Sequence, residues 1–295
     1  MIRLLIAALA TIGFVNAWTQ TPSYIIARIA EKDLEKSHPK SLPKALKMLD
    51  PLNNLTKAGN YPFEDAIAYP NLEFEKGFSL VDLWHYEYNT WFDGEEKKEI
   101  ETHSDFTLLK IAEIAQYTID SDKGRIDSTF GKSWNLRYYM SIVADLHQPM
   151  HNIIRFSSSH KNGDDFGKLY KIKGSYKNLY DLFDDAFGQY SSLEYPLSSM
   201  DKLDTYVDKI MEDYPKSDFS KQIQDTNKTD WSMESYNIGK DFAYSVLENT
   251  TPGDNYMTKG KDLVNKQLAI AGYRLSSRIN YMMTCQKINC LLEEE

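Results

Sequence analysis

Ser141-Ile142-Val143-Ala144-Asp145-Leu146-His147-Gln148-Pro149-Met150-His151 holds more polar chemistry in an apolar setting than any other part of the chain. On a helix, Ser141 and Asp145 fall at i and i+4 and share a face. Pro149 cannot continue the helical hydrogen bonding, so it disturbs the turn before it and lets His151 fold back toward that face. The surrounding apolar residues would bury Asp145, and a buried carboxylate is costly unless it is hydrogen-bonded or holds a metal. Taken alone, the stretch is accounted for by a core Asp–His hydrogen bond.

The same helical spacing extends to both sides. Leu108, Ile111, Ala115 and Ile119 recur at intervals of three and four, as do Val264, Leu268, Ala271, Leu275 and Ile279. Strand-like alternation is scarce. Punctuation at Pro51, Pro62, Pro70, Gly94, Gly163, Gly188, Pro196, Pro215 and Pro252 leaves segments suited to helices of roughly 10 to 20 residues. The expected fold class is all-α. No repeat or long linker divides the chain, so a single mainly helical domain is expected over 18–295.

Composition narrows the function. With 42% hydrophobic and 26% charged residues the chain is globular, and the net charge of −9 argues against broad adhesion to phosphate backbones. The long apolar run at the extreme N-terminus is too short for a span of roughly 20 residues. Arg3, the apolar Leu4 to Val15, and the small-x-small Val15-Asn16-Ala17 together read as a signal peptide over 1–17, with Trp18 as the new terminus. Sequons at Asn54, Asn227 and Asn249 suit a secreted glycoprotein. An oxidising compartment would permit a disulfide between Cys285 and Cys290, and neither cysteine has a histidine near it in sequence to make it a nucleophile.

Trp18, Asp65, His85, Asp145, His151 and Asp184 follow one another in an order and spacing that resembles the S1/P1 nuclease family, secreted zinc-dependent phosphoesterases related in fold to zinc phospholipase C. The resemblance runs from Trp18 through Phe63-Glu64-Asp65, Trp84-His85-Tyr86, Asp145-Leu146-His147-Gln148-Pro149-Met150-His151, Asn178 to Asp184, Trp231 to Ser235, and Gln267 to Asn280. It implies a helical fold of the phospholipase C/P1 nuclease type and up to three zinc ions. It further implies that Trp18, through its freed amine and carbonyl, holds one zinc together with Asp145. Asp145 would also reach a second ion, bound by Asp65 and His85, and His151 and Asp184 would bind the third. Asp65 would contact and orient the attacking water. Single-stranded nucleic acid or a nucleotide would be the substrate, with Tyr86 stacking an unpaired base and Tyr88 and Asn89 near the base-recognition position.

Three ligand positions depart from the pattern. Ser23, Ser141 and Tyr180 stand where the family has histidine, so each zinc site loses an imidazole. A neutral hydroxyl is a poor zinc ligand, and a phenol must first lose a proton of pKa about 10. The phosphate-stabilising arginine expected three residues after Asp65 is Ala68, and the glycine-rich stretch survives only as Lys161-Asn162-Gly163-Asp164-Asp165. Oxygen-rich remnants could take Mg²⁺, Mn²⁺ or Ca²⁺ instead. Two functions therefore compete. One is an exported metal-dependent nuclease or 3′-nucleotidase, monomeric, secreted or held in the endomembrane and lysosomal system. The other is a secreted binding protein that keeps the helical scaffold without hydrolysis. Lipid hydrolysis by analogy with phospholipase C matches fewer segments. His38, His103 and His160 read as surface residues, His147 as a structural buttress, and Trp231 to Ser235 as helix packing with a buried polar anchor.

Overall fold

The structure, a computed structural model, describes residues 18–75, 79–94, 107–120 and 129–284. The leader at 1–17, His103, Cys285 and Cys290 lie outside them. Ten α-helices occur among the described residues. They are α1 (Gln20–Ser37), α2 (Leu42–Thr56), α3 (Pro62–Glu75), α4 (Leu108–Asp120), α5 (Thr129–Leu146), α6 (Leu179–Asp184), α7 (Asp201–Asp213), α8 (Ser220–Gln224), α9 (Lys228–Asp241) and α10 (Asp254–Thr284). The expectation of an all-α fold holds. Among the described residues, β1 (Thr90–Phe92) and β2 (Ile154–Phe156) form a short parallel ladder, in register Thr90 to Ile154 and Phe92 to Phe156, and Lys171 and Asn178 form an isolated antiparallel bridge. Such three-residue strands are too short to show an alternating pattern in sequence.

Both apolar stripes read from the sequence face inward. Leu108, Ile111, Ala115 and Ile119 of α4 are buried, as are Val264, Leu268, Ala271, Leu275 and Ile279 of α10. From Leu136 to Leu146, α5 is buried on every side, against α2, α3, α4 and α10. Helices α1 and α10 approach closely at Gly272, where an added Cβ would meet Ile29 Cγ2 at 2.5 Å and Ile26 O at 3.1 Å. The contact continues through Ser276 Oγ, which donates to the buried Asp33 at 2.6 Å.

α5 ends as the sequence requires. Gln148, preceding the proline, is extended at φ −97°, ψ 112°. Its Oε1 accepts from Met150 N at 2.5 Å, opening a 3₁₀ turn over Pro149–His151. The Asn152 amide then donates to Asp145 O and Gln148 O, both at 2.9 Å, which locks the reversal.

His147 serves as the expected buttress. Its Nδ1 donates to Val143 O at 2.7 Å and its Nε2 accepts from Arg274 Nη1 at 2.9 Å. Arg274 is itself paired with Glu234 and lies 4.9 Å over the ring of Trp231. The polar anchor of the Trp231 segment is Ser235 Oγ, donating to Leu146 O at 2.5 Å.

Burial and then the Arg274 charge push His147 down to about 3, so the folded state holds a neutral imidazole that the unfolded chain protonates near its ordinary value. That contribution is complete above the unfolded pKa and is lost as pH falls toward 3. Urea unfolding across pH 7.5 to 4.5 will show stability declining on acidification, and His147→Gln will flatten the decline. Gly272→Ala will cost about 1 to 3 kcal/mol in the same measurement, because Ile29 and the α1 backbone leave no room for the methyl group.

Candidate active site

Three elements bring the central residues together. The end of α5 supplies Asp145, a 3₁₀ turn over Ser79–His85 supplies His85, and the turn after Pro149 supplies His151. α6 adds Tyr180 and Asp184; its first turn is capped by Asn178, whose Oδ1 accepts from Asp181 N at 2.7 Å. All five side chains are buried.

His85 Nδ1 lies 2.9 Å from Asp145 Oδ2. A carboxylate accepts only, so Nδ1 carries the hydrogen and Nε2 the lone pair. Within the described structure, His85 Nε2, Asp145 Oδ1 and Asp184 Oδ1 are buried with no hydrogen-bond partner. His151 bridges the two acids at longer range, with Nδ1 3.8 Å from Asp145 Oδ1 and Nε2 3.9 Å from Asp184 Oδ1. Burial pushes Asp145 up to about 6 against the opposing pull of His85, and pushes Asp184 well above the usual carboxylate range.

His151 is oriented by two other bonds. Nδ1 donates to His85 O at 2.7 Å, which leaves Nε2 to accept from the Tyr180 hydroxyl at 2.9 Å. Tyr86 OH in turn donates to Tyr180 OH at 3.2 Å. The phenol at 180 thus sits on the imidazole nitrogen that a metal would use.

The first described residues reach the same place. Trp18 is fully buried, its indole donates to Ala144 O at 2.9 Å, and Thr19 N donates to Asp184 O at 3.0 Å. Ser23 Oγ donates to the Trp18 carbonyl at 3.1 Å, while Ser141 is buried in α5 one turn before Asp145.

Asp65 is used differently. Oδ1 accepts from Leu197 N at 2.8 Å and Tyr24 OH at 3.3 Å, and Oδ2 accepts from Gly59 N at 2.7 Å. These bonds tie α3 to α1 and to two loops. Tyr86, expected as a stacking platform, is 3% exposed, with ring centroids 4.9 Å from His151 and 4.4 Å from Phe166, so it offers no open face to a base. Asn89 spends its amide hydrogens on Asn152 O and Ser232 Oγ, and Tyr88 packs edge-on to Phe166.

Lys168 is the residue the sequence did not single out. Its ammonium lies 4.6 Å over the Tyr86 ring, 5.0 Å over that of Tyr180 and 3.9 Å from Asp165 Oδ1. Burial lowers its pKa while Asp165, Asp82, Asp184 and Asp181 pull it upward. The available signal was its place just beyond the remnant of the glycine-rich stretch.

A family model described as S1/P1 Nuclease matches residues 18–284. The chain belongs to the S1/P1 nuclease family. A search of curated proteins finds no match. Family membership supports a nuclease-type, hydrolytic function, and the family is generally zinc-dependent. The side chains present do not fit three zinc ions. Among the described residues no group of three or more His, Cys, Asp or Glu side chains is placed to hold a metal. His151 Nε2 is bonded to a phenol, the Trp18 carbonyl to Ser23, and both Asp65 oxygens to other donors.

Tyr180→Phe will leave His151 Nε2 without the hydroxyl it accepts from. A cost of about 1 to 3 kcal/mol is expected in chemical denaturation, together with a shift of the His151 imidazole resonances in NMR.

Proposed function

We propose that this chain is an exported S1/P1-type hydrolase acting on phosphodiesters of single-stranded nucleic acid or on a nucleotide, from a centre reduced to His85 and Asp145. The observation that carries the reading is the buried His85–Asp145 pair, with its partnerless Nε2. At neutral pH Asp145 is mostly ionised, its pKa standing at about 6. It therefore fixes the His85 tautomer and stabilises the imidazolium. In the proposed step Nε2 takes a proton from water, the water oxygen bonds to phosphorus, the phosphorus–oxygen bond to the leaving group breaks, and the leaving oxygen takes a proton from solvent.

A divalent ion, when bound, would polarise the phosphoryl oxygen. Asp145 Oδ1 is the donor left for it at this pair. One carboxylate with water and substrate phosphate suits Mg²⁺ or Mn²⁺ better than a resident zinc.

The proposal includes removal of the leader before Trp18, a single domain over 18–295, and passage to the extracellular or endomembrane space. Asn54, Asn227 and Asn249 are all exposed, which supports glycan access. Among the described residues no helix is long and apolar enough to cross a membrane.

A binding protein without hydrolysis is the second reading. It is favoured by the Tyr180 hydroxyl on His151 and the covered ring of Tyr86.

Assays on single-stranded DNA, RNA and a nucleoside 3′-monophosphate, in EDTA and with added Mg²⁺, Mn²⁺ or Zn²⁺, separate the two. Under the hydrolase reading, His85→Gln and Asp145→Asn each lower turnover by about 10² to 10⁴ with the circular dichroism spectrum unchanged. A parent inactive under every condition leaves the binding reading, and folded variants as active as the parent overturn the assignment to this pair.

A further inference from the structure

The corner formed by His151, Tyr180 and Asp184 is acidic, buried and closed. Asp184 is buried, and Asp82, Asp165 and Asp181 all act on the same ammonium, that of Lys168. Asp165 and Asp181 are exposed and Asp82 is half-buried, so Asp184 is the carboxylate that solvent does not compensate, and a nearby positive charge offsets it. In a metal centre the ion does this. Here Lys168 reaches in from the loop after Gly167, and its Nζ lies over both tyrosine rings.

The two rings under the ammonium belong to the hydroxyls of the Tyr86 to Tyr180 to His151 relay. The electron-rich ring faces favour the cation, and the relay gives His151 Nε2 a hydrogen-bond donor. Charge and coordination, which one metal ion would supply together, are thus divided between an ammonium and a phenol. The Lys168 side chain is 20% exposed, so it is not sealed in the core.

We infer that Lys168 is a tethered cation standing in for a metal ion at the His151–Asp184 corner, and that Lys168 and Tyr180 together make this corner metal-independent. The inference concerns a different corner from the His85–Asp145 pair and does not require that pair to be catalytic.

The test uses the full mature chain, dialysed against EDTA, with zinc alone as the probe in calorimetric titration and thermal unfolding. In metal-free buffer Lys168→Met melts lower than the parent. Zinc restores it and binds on the order of tenfold or more tightly than to the parent, because the competing charge is gone. Lys168→Arg, which keeps the charge, behaves like the parent. Adding Asp184→Asn to Lys168→Met abolishes the gain, which locates it at this corner. Zinc binding equal in parent and Lys168→Met overturns the inference, as does a Lys168→Met protein as stable without metal as the parent. Should Lys168→Met fail to fold without metal, zinc during refolding rescues it under the inference, and refolding no better with zinc than without overturns it.

Discussion

A carboxylate with no exposed surface, Asp145, governs the arrangement around it. An ionised acid in that position must be compensated by hydrogen-bond donors or by positive charge. One compensation is visible in the hydrogen held by His85 Nδ1, and the imidazole of His151 stands farther off. The end of α5, the turn bearing His85, the reversal after Pro149, the first residues of the described chain and α6 all converge on this requirement. Asn152 completes it by bonding the Asp145 carbonyl, so the residue is held through its main chain as well as its side chain.

Around that acid several side chains are engaged in ordinary hydrogen bonding. Ser23 closes onto the Trp18 carbonyl, Tyr180 onto His151, and Asp65 accepts from two loop amides and a phenol. Each of these contacts is worth roughly 1 kcal/mol net. The core is no less packed for it: Trp18, Tyr24, Phe63 and Phe183 are all fully buried. The His85–Asp145 side is buried as well, and among the described residues it keeps polar atoms without hydrogen-bond partners.

Much of this was readable without coordinates. The period of α4 and α10 fixed their buried faces because one apolar stripe is enough to orient a helix. Pro149 announced the reversal that returns His151 toward Asp145, because proline has no amide hydrogen to donate. Other features depend on distant partners and left no local trace. Asp65 is occupied by Leu197 and Tyr24, which nothing in its own neighbourhood reveals. Tyr86 is covered by Phe166, eighty positions later in the chain. Lys168 looked like any surface lysine because its neighbours Asp165 and Leu169 are exposed, and only the fold shows where its head group goes. The ladder of β1 and β2 is set by main-chain pairing between segments far apart in sequence, not by side-chain pattern.

The seam between α1 and α10 has a further implication. Gly272 against Ile29 and Ser276 against Asp33 join the first helix of the described chain to the last, and Ser41, just before α2, bonds Asn280 beside them. α10 is made long after α1, so the part of α1 that α10 covers stays uncovered in the meantime, although α3 and α7 also pack on α1. Contacts this distant along the sequence slow folding. Until α10 is in place, that strip of α1 is free to associate wrongly.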